Sequence, residues 1–201
     1  MSARVKVGVM ISGRGSNMAA LIEASRAPDY PAEIALVLSN KADAPGLAVA
    51  AAADVETLAL SAKAYADKDA FEAALDAALK ARGVEIVCLA GYMRILGRAF
   101  VEGWSGRLVN IHPSLLPLYK GLHTHERALA DGAREHGCTV HWVSPELDSG
   151  EIVAQARVPV LAGDDAERLA ARVLAAEHKL YPSALRDVCL NGLTPPQPSV
   201  R

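Results

Sequence analysis

Val5-Lys6-Val7-Gly8-Val9-Met10-Ile11-Ser12-Gly13-Arg14-Gly15-Ser16-Asn17 is the stretch on which the fold turns. A run of β-branched and apolar residues enters a glycine loop, and from Asn17 to Ala27 helix formers take over with apolar residues at three-to-four spacing. A strand that feeds a helix through such a loop opens a βαβ unit. The alternation repeats downstream, with strands predicted near Glu33–Ser39, Thr57–Leu60, Ile86–Ala90 and Leu108–Ile111 and helices at Leu47–Ala53, Ala70–Arg82 and Leu96–Glu102. The pattern predicts an α/β fold: an open, mostly parallel, Rossmann-like twisted sheet with helices on both faces. Beyond residue 112 the character changes. A Pro- and Gly-punctuated loop and a short helix near Glu126–Ala130 lead to strand-like runs at Thr139–Val143 and Ile152–Val160, which predict a mixed or antiparallel extension of the sheet. Asp165–Leu185 reads as a last long helix, interrupted near Pro182, and Thr194-Pro195-Pro196-Gln197-Pro198 as a loose tail within 191–201.

The bulk properties narrow the function. A chain of 201 residues suits one core, here taken as a single domain over residues 1–190 divided near 105. No apolar run approaches the roughly 20 residues that cross a bilayer. Met1 to Val7 passes into a strand at once, without the apolar core and cleavage site of a signal peptide, so a cytoplasmic protein is expected. Cys88, Cys138 and Cys189 are odd in number and far apart, which suggests reduced core thiols rather than disulfides or a zinc site. A formal net charge of −2, with both signs interspersed, offers no basic stripe for nucleic acid. Any anion bound here should be small.

The glycine loop is a candidate cradle for such an anion, because backbone N–H groups converge at a helix N-terminus where the dipole favours negative charge. It is not the dinucleotide fingerprint: Met18 holds the place of the third glycine, and the second strand ends in Ser39-Asn40 where an acidic ribose ligand is wanted. No Lys-Ser or Lys-Thr pair follows the glycines, which removes the Walker loop. A phosphomonoester fits better. A plain tight turn also explains two glycines.

Val109-Asn110-Ile111-His112-Pro113 carries more information. Strand side chains alternate, so Asn110 and His112 share one face at the C-terminal end of a predicted strand, where open α/β sheets place their ligands. An amide beside an imidazole suits a carbonyl oxygen that becomes negative during acyl-type transfer. The competing account is a buried Asn and His satisfied by backbone groups. His123, His125 and His141 raise a zinc alternative with His112 or Asp148, but no His-Glu-x-x-His or cysteine set accompanies them and no metal is expected.

At this point the chain resembles the glycinamide ribonucleotide formyltransferases, folate-dependent members of the wider formyltransferase group. The likeness runs from the Ile11–Asn17 loop through Ser39–Ala44, Leu89-Ala90-Gly91-Tyr92-Met93-Arg94-Ile95-Leu96 and Asn110-Ile111-His112-Pro113-Ser114-Leu115-Leu116-Pro117. It continues in Gly121-Leu122-His123-Thr124-His125, Leu147-Asp148-Ser149-Gly150, Gln155–Val160 and Glu177-His178. The resemblance implies that Asn110, His112 and Asp148 form the catalytic trio, and that Gly15, Ser16, Asn17 and Glu177 hold the ribonucleotide. It implies a folate pocket formed by Met93, Arg94, Ile95, Leu96, Asn110, Ser144, Pro145, Glu146, Leu147 and Asp148, with Lys68 reaching the folate. The phosphate-binding half is then about 1–105, and the catalytic and folate-binding half about 106–190.

The implied reaction moves a formyl group from 10-formyltetrahydrofolate, a cosubstrate, to the amine of 5-phosphoribosylglycinamide. Small molecules are the only partners expected, on a monomer or homodimer, with no nucleic acid or membrane. The chain departs from the family pattern in several places. Lys68 stands for arginine, Lys120 for a proline, Ser149-Gly150-Glu151 for a Gly-Gly-Pro turn, and Ala175-Ala176 for polar residues before Glu177. Rival readings are a formyltetrahydrofolate hydrolase, which would carry an N-terminal regulatory domain, a tRNA-linked formyltransferase with a C-terminal nucleic-acid module, and a non-catalytic mononucleotide-binding module.

Overall fold

Seven strands form one sheet in the order β3-β2-β1-β4-β5-β6-β7, described over residues 3–191 of a computed structural model. They are β1 (Val5–Ile11), β2 (Ala32–Ser39), β3 (Thr57–Ala59), β4 (Ile86–Leu89), β5 (Leu108–His112), β6 (Glu135–Trp142) and β7 (Ile152–Pro159). The first five pair in parallel and the last two antiparallel, as the change of character after residue 112 implied. The helices are α1 (Ser16–Ser25), α2 (Pro45–Ala52), α3 (Lys68–Lys80), α4 (Arg98–Gly103), α5 (Thr124–Ala130) and α6 (Ala166–Asn191). A 3₁₀ turn at Ala62–Ala64 was not foreseen. The Pro-rich segment from Thr194 lies outside the described residues.

Strand periodicity divides the core in two. Val7, Val9, Ile11, Val37, Ile86, Cys88, Val109 and Ile111 pack with residues of α1 and α6, among them Met18, Leu21 and Tyr181. Met10, Leu36, Leu38, Val87, Leu89 and Leu108 face the other way, onto Phe71, Leu75 and Leu79 of α3 and Phe100 and Val101 of α4. The central parallel strands β1, β4 and β5 are mostly buried on both faces, which is why their sequences read as near-continuous apolar runs. Asn110 and His112 fall on the side of Leu108.

Two boundaries differ from expectation. β6 begins at Glu135, not Thr139, because Glu135, His136, Gly137 and Cys138 pair with Pro159, Val158, Arg157 and Ala156 of β7. α6 continues through Pro182 to Asn191 instead of breaking. Tyr181, Ala184, Leu185 and Val188 are buried on one side of it, and Tyr30 Oη donates to the Pro182 carbonyl at 2.7 Å. Packing therefore outweighs a proline penalty of about 3 kcal/mol. Pro182→Ala restores an N–H to the helix and is expected to stabilise the protein by about 1–2 kcal/mol in urea unfolding. An unchanged or lower midpoint would show that the ring itself is needed.

Candidate active site

A cleft of about 740 Å³ opens past the C-terminal ends of β4 and β5 and beside the start of α1, where the strand order reverses about β1 and β4. Its walls include Asn17, Met93, Arg94, Ile95, Leu96, Asn110, His112, Ser144, Pro145, Leu147, Asp148 and Glu177. Most of the expected site residues thus meet in one place. Gly15 and Ser16 stand beside it at the start of α1. Lys68 and Glu146 do not line it: Lys68 lies 3.7 Å from Glu72 on α3, and Glu146 lies 3.4 Å from Arg98 at the surface.

Asp148 does meet His112, a contact that spacing could not supply. Its Oδ2 is 3.5 Å from His112 Nδ1 and accepts the Gly121 N–H at 2.9 Å. Asp148 has a left-handed backbone, φ 46°, a conformation that Asp tolerates better than most residues and that turns its carboxylate into the cleft. His112 Nε2 donates to the Tyr119 carbonyl at 3.0 Å. The imidazole therefore sits between an acceptor carbonyl and a carboxylate.

Asn110 has a partner that went unrecognised in the sequence. His141 Nδ1 donates to the Trp142 carbonyl at 2.9 Å, so its Nε2 is left as an acceptor for Asn110 Nδ2 at 3.1 Å. Burial lowers the His141 pKa and keeps this ring neutral. The Asn110 amide is thereby oriented with one hydrogen still uncommitted. The antiparallel register, which sets Asn110 opposite His141, was the only available signal.

The histidines raised for a zinc alternative have other partners. His123 pairs with Glu126 and His125 with His136, while His141 meets Asn110 and lies 3.8 Å from Asp148 Oδ1. Among the described residues no group of three or more His, Cys, Asp or Glu is placed to hold a metal.

At the other end of the cleft, Asn17 Nδ2 donates to Glu177 Oε2 at 2.7 Å, and Asn17 Oδ1 is buried without a partner. Burial raises the Glu177 pKa against this hydrogen bond. Gly15 has φ 71° and its missing Cβ would lie 3.2 Å from Gly46 Cα, while the Gly46 N–H donates to the Gly13 carbonyl at 3.0 Å. The start of α2 thus braces the glycine loop, a role for Gly46 that no local motif announced.

Behind the trio, Thr139 and Gln155 fasten the loop that follows β5. Thr139 Oγ1 donates to the Ser114 carbonyl at 2.7 Å and accepts the Leu116 N–H at 3.1 Å, and Gln155 Nε2 donates to the Leu116 carbonyl at 2.8 Å. Two departures from the family pattern touch each other: Lys120 Nζ donates to Ser149 Oγ at 2.6 Å, joining this loop to the one that carries Asp148. A Cβ on Gly150 would fall 1.7 Å from the Trp142 carbonyl oxygen. Gly150→Ala must displace that loop and is expected to cost about 1–3 kcal/mol of stability in denaturant unfolding. Wild-type stability would mean the loop moves freely.

The fold and this cleft define a class. The model of the formyl transferase family matches residues 5–185, and the chain belongs to that family. It is 47% identical to the phosphoribosylglycinamide formyltransferase of Escherichia coli K12 over 89% of this chain and 84% of that one. The crystal structure of phosphoribosylglycinamide formyltransferase from Brucella melitensis superposes with a TM-score of 0.90 at 54% identity, covering 96% of this chain and 99% of that one. The human trifunctional purine biosynthetic protein adenosine-3 is 46% identical over 91% of this chain, which spans 18% of that protein's length.

Proposed function

We propose that this chain transfers the formyl group of 10-formyltetrahydrofolate to the amine of 5-phosphoribosylglycinamide, as a step of purine synthesis in the cytoplasm. The observation that carries the reading is the convergence of Asn110, His112 and Asp148 on one cleft whose far end holds Asn17 and Glu177. Residues 1–190 act as one domain in this account. Gly15, Ser16 and Asn17 bind the phosphate and ribose, and the buried, unpartnered Asn17 Oδ1 suits a ligand hydroxyl or amine. Glu177 accepts from the same ligand. The apolar wall of Met93, Ile95, Leu96, Val101, Val143 and Leu147 suits a flat aromatic ring, which Arg94 and the Ser144–Asp148 loop border. Lys68 lies outside the cleft and is assigned to the acidic folate tail.

Asn110 Nδ2 and His112 Nε2 donate to the formyl oxygen as the amine attacks and that oxygen becomes negative. His112 exchanges its Tyr119 acceptor for the substrate oxygen, and Asp148 faces the other ring nitrogen and orients the imidazole. The amine proton passes through water held near Asp148 to the departing folate nitrogen. This account uses neither a metal nor a covalent enzyme intermediate. Mixing the protein with both substrates and following absorbance as folate loses its formyl group tests it. Deformylation that proceeds equally without the amine would identify a hydrolase, and no deformylation would remove the reading.

A further inference from the structure

The wall expected to face the folate has no regular secondary structure. Residues 91–97 leave β4 and reach α4 as an open loop, with Met93, Arg94 and Ile95 exposed. Backbone groups in such a segment usually find water, yet two of its N–H groups are taken by buried side chains. At the first end, Ser12 Oγ accepts the Met93 N–H at 2.8 Å and donates its own proton to Asn40 Oδ1 at 2.5 Å. The Ser12 N–H also donates to the Gly91 carbonyl at 3.2 Å. At the second end, Glu72 Oε1 accepts the Gly97 N–H at 2.8 Å. Ser12 is 5% exposed and Glu72 7%, so water competes poorly for either contact. A Cβ on Gly97 would lie 2.6 Å from Glu72 Oε2, which shows how closely the carboxylate is seated. Among the described residues no other hydrogen bond reaches a backbone N–H between residues 92 and 96.

We propose that Ser12 and Glu72 are positioning residues that stake the two ends of the 91–97 loop, and that Ser12, as the first residue after β1, ties the folate wall of the cleft to the phosphate loop. Neither side chain lines the cleft; Ser12 acts through the backbone it holds, and Glu72 holds the Gly97 N–H while also lying 3.7 Å from Lys68 Nζ, so loop exchange is the readout specific to the clamp. The inference rests on the functional reading above for what the loop binds.

The test compares wild type with Ser12→Ala, Glu72→Ala and Glu72→Gln. Calorimetry measures tetrahydrofolate binding without ribonucleotide, steady-state kinetics separate KM from kcat, and amide hydrogen exchange follows residues 91–97. Ser12→Ala and Glu72→Ala are expected to weaken folate binding and raise its KM about tenfold, the weight of one hydrogen bond, with kcat near wild type. Exchange accelerates within the loop alone. Glu72→Gln keeps an acceptor oxygen for Gly97 and restores folate affinity, a rescue that general destabilisation would not produce.

Unchanged folate affinity and unchanged loop exchange in Ser12→Ala and Glu72→Ala overturn the proposal. So does a joint fall in kcat and in affinity for both substrates with faster exchange throughout the chain. If wild type binds no tetrahydrofolate, the functional reading fails, while loop exchange in the variants still decides the clamp. The two serine and glutamate sites are independent, so a variant that does not fold leaves the other to decide.

Discussion

Asn110→Ala is expected to slow formyl transfer about 10²- to 10³-fold, mostly in kcat. One hydrogen-bond donor aimed at a developing oxyanion is worth ~2.7–4 kcal/mol, because the bond strengthens as charge builds and exists only weakly in the ground state. In the proposed reaction Asn110 is such a donor. Neutral His141 takes one amide hydrogen at 3.1 Å and fixes the amide plane, so little reorganisation remains to be done when the reaction begins. The binding proposed for Asn17, Glu177 and the apolar wall is untouched by the substitution, which is why KM should move little. Single-turnover and steady-state measurements on the purified variant check this. A variant that turns over at the wild-type rate would remove Asn110 from the chemistry. A rise in KM at constant kcat would make it a binding residue only.

Acid is expected to destabilise the protein most steeply between about pH 6.5 and pH 4. Burial, and then the neighbouring His125, push the His136 pKa down from 6.5 to about 4, and burial also lowers those of His125 and His141. The sign follows from which state holds the proton. In this window the unfolded chain binds it at His136 and the folded chain does not, so stability present in full above pH 6.5 is lost as pH falls towards 4. Below that, both states are protonated and the loss levels off. His136 alone contributes on the order of 3 kcal/mol to the drop, a large share of an ordinary domain's stability. Urea unfolding in steps from pH 7.5 to 4 measures it, and His136→Asn should flatten the curve. An equal slope in that variant would assign the loss to other groups.

His136 also connects this chemistry to the cleft. Its Nε2 lies 3.2 Å from His125 Nδ1, and its ring packs edge-on against Tyr119, whose carbonyl receives His112 Nε2. Protonating the His125–His136 pair sets two like charges side by side next to Tyr119, whose carbonyl meets His112.

Much of this arrangement is legible in residue order, because local periodicities survive folding. Strand alternation set Asn110 and His112 on one face, and the structure places them together in the cleft. The glycines at 13 and 15 marked a tight strand-to-helix turn, in which Gly15 takes a left-handed backbone. Pro182 misled, since a helix-breaking preference of about 3 kcal/mol is smaller than the burial of Tyr181, Ala184, Leu185 and Val188 around it. Lys120 and Ser149, each unremarkable alone, are a pair only because two loops fold over each other.

By itself the sequence determined the α/β pattern, the glycine turn and the shared face of Asn110 and His112, since each depends on neighbours within a few residues. The tertiary structure alone decided that Asp148 reaches His112, that His141 orients Asn110, and that Ser12 and Glu72 hold the loop at 91–97. Those contacts join segments tens of residues apart. Their geometry is set by sheet register and by buried hydrogen bonds that form only when water is excluded, and no local spacing encodes either.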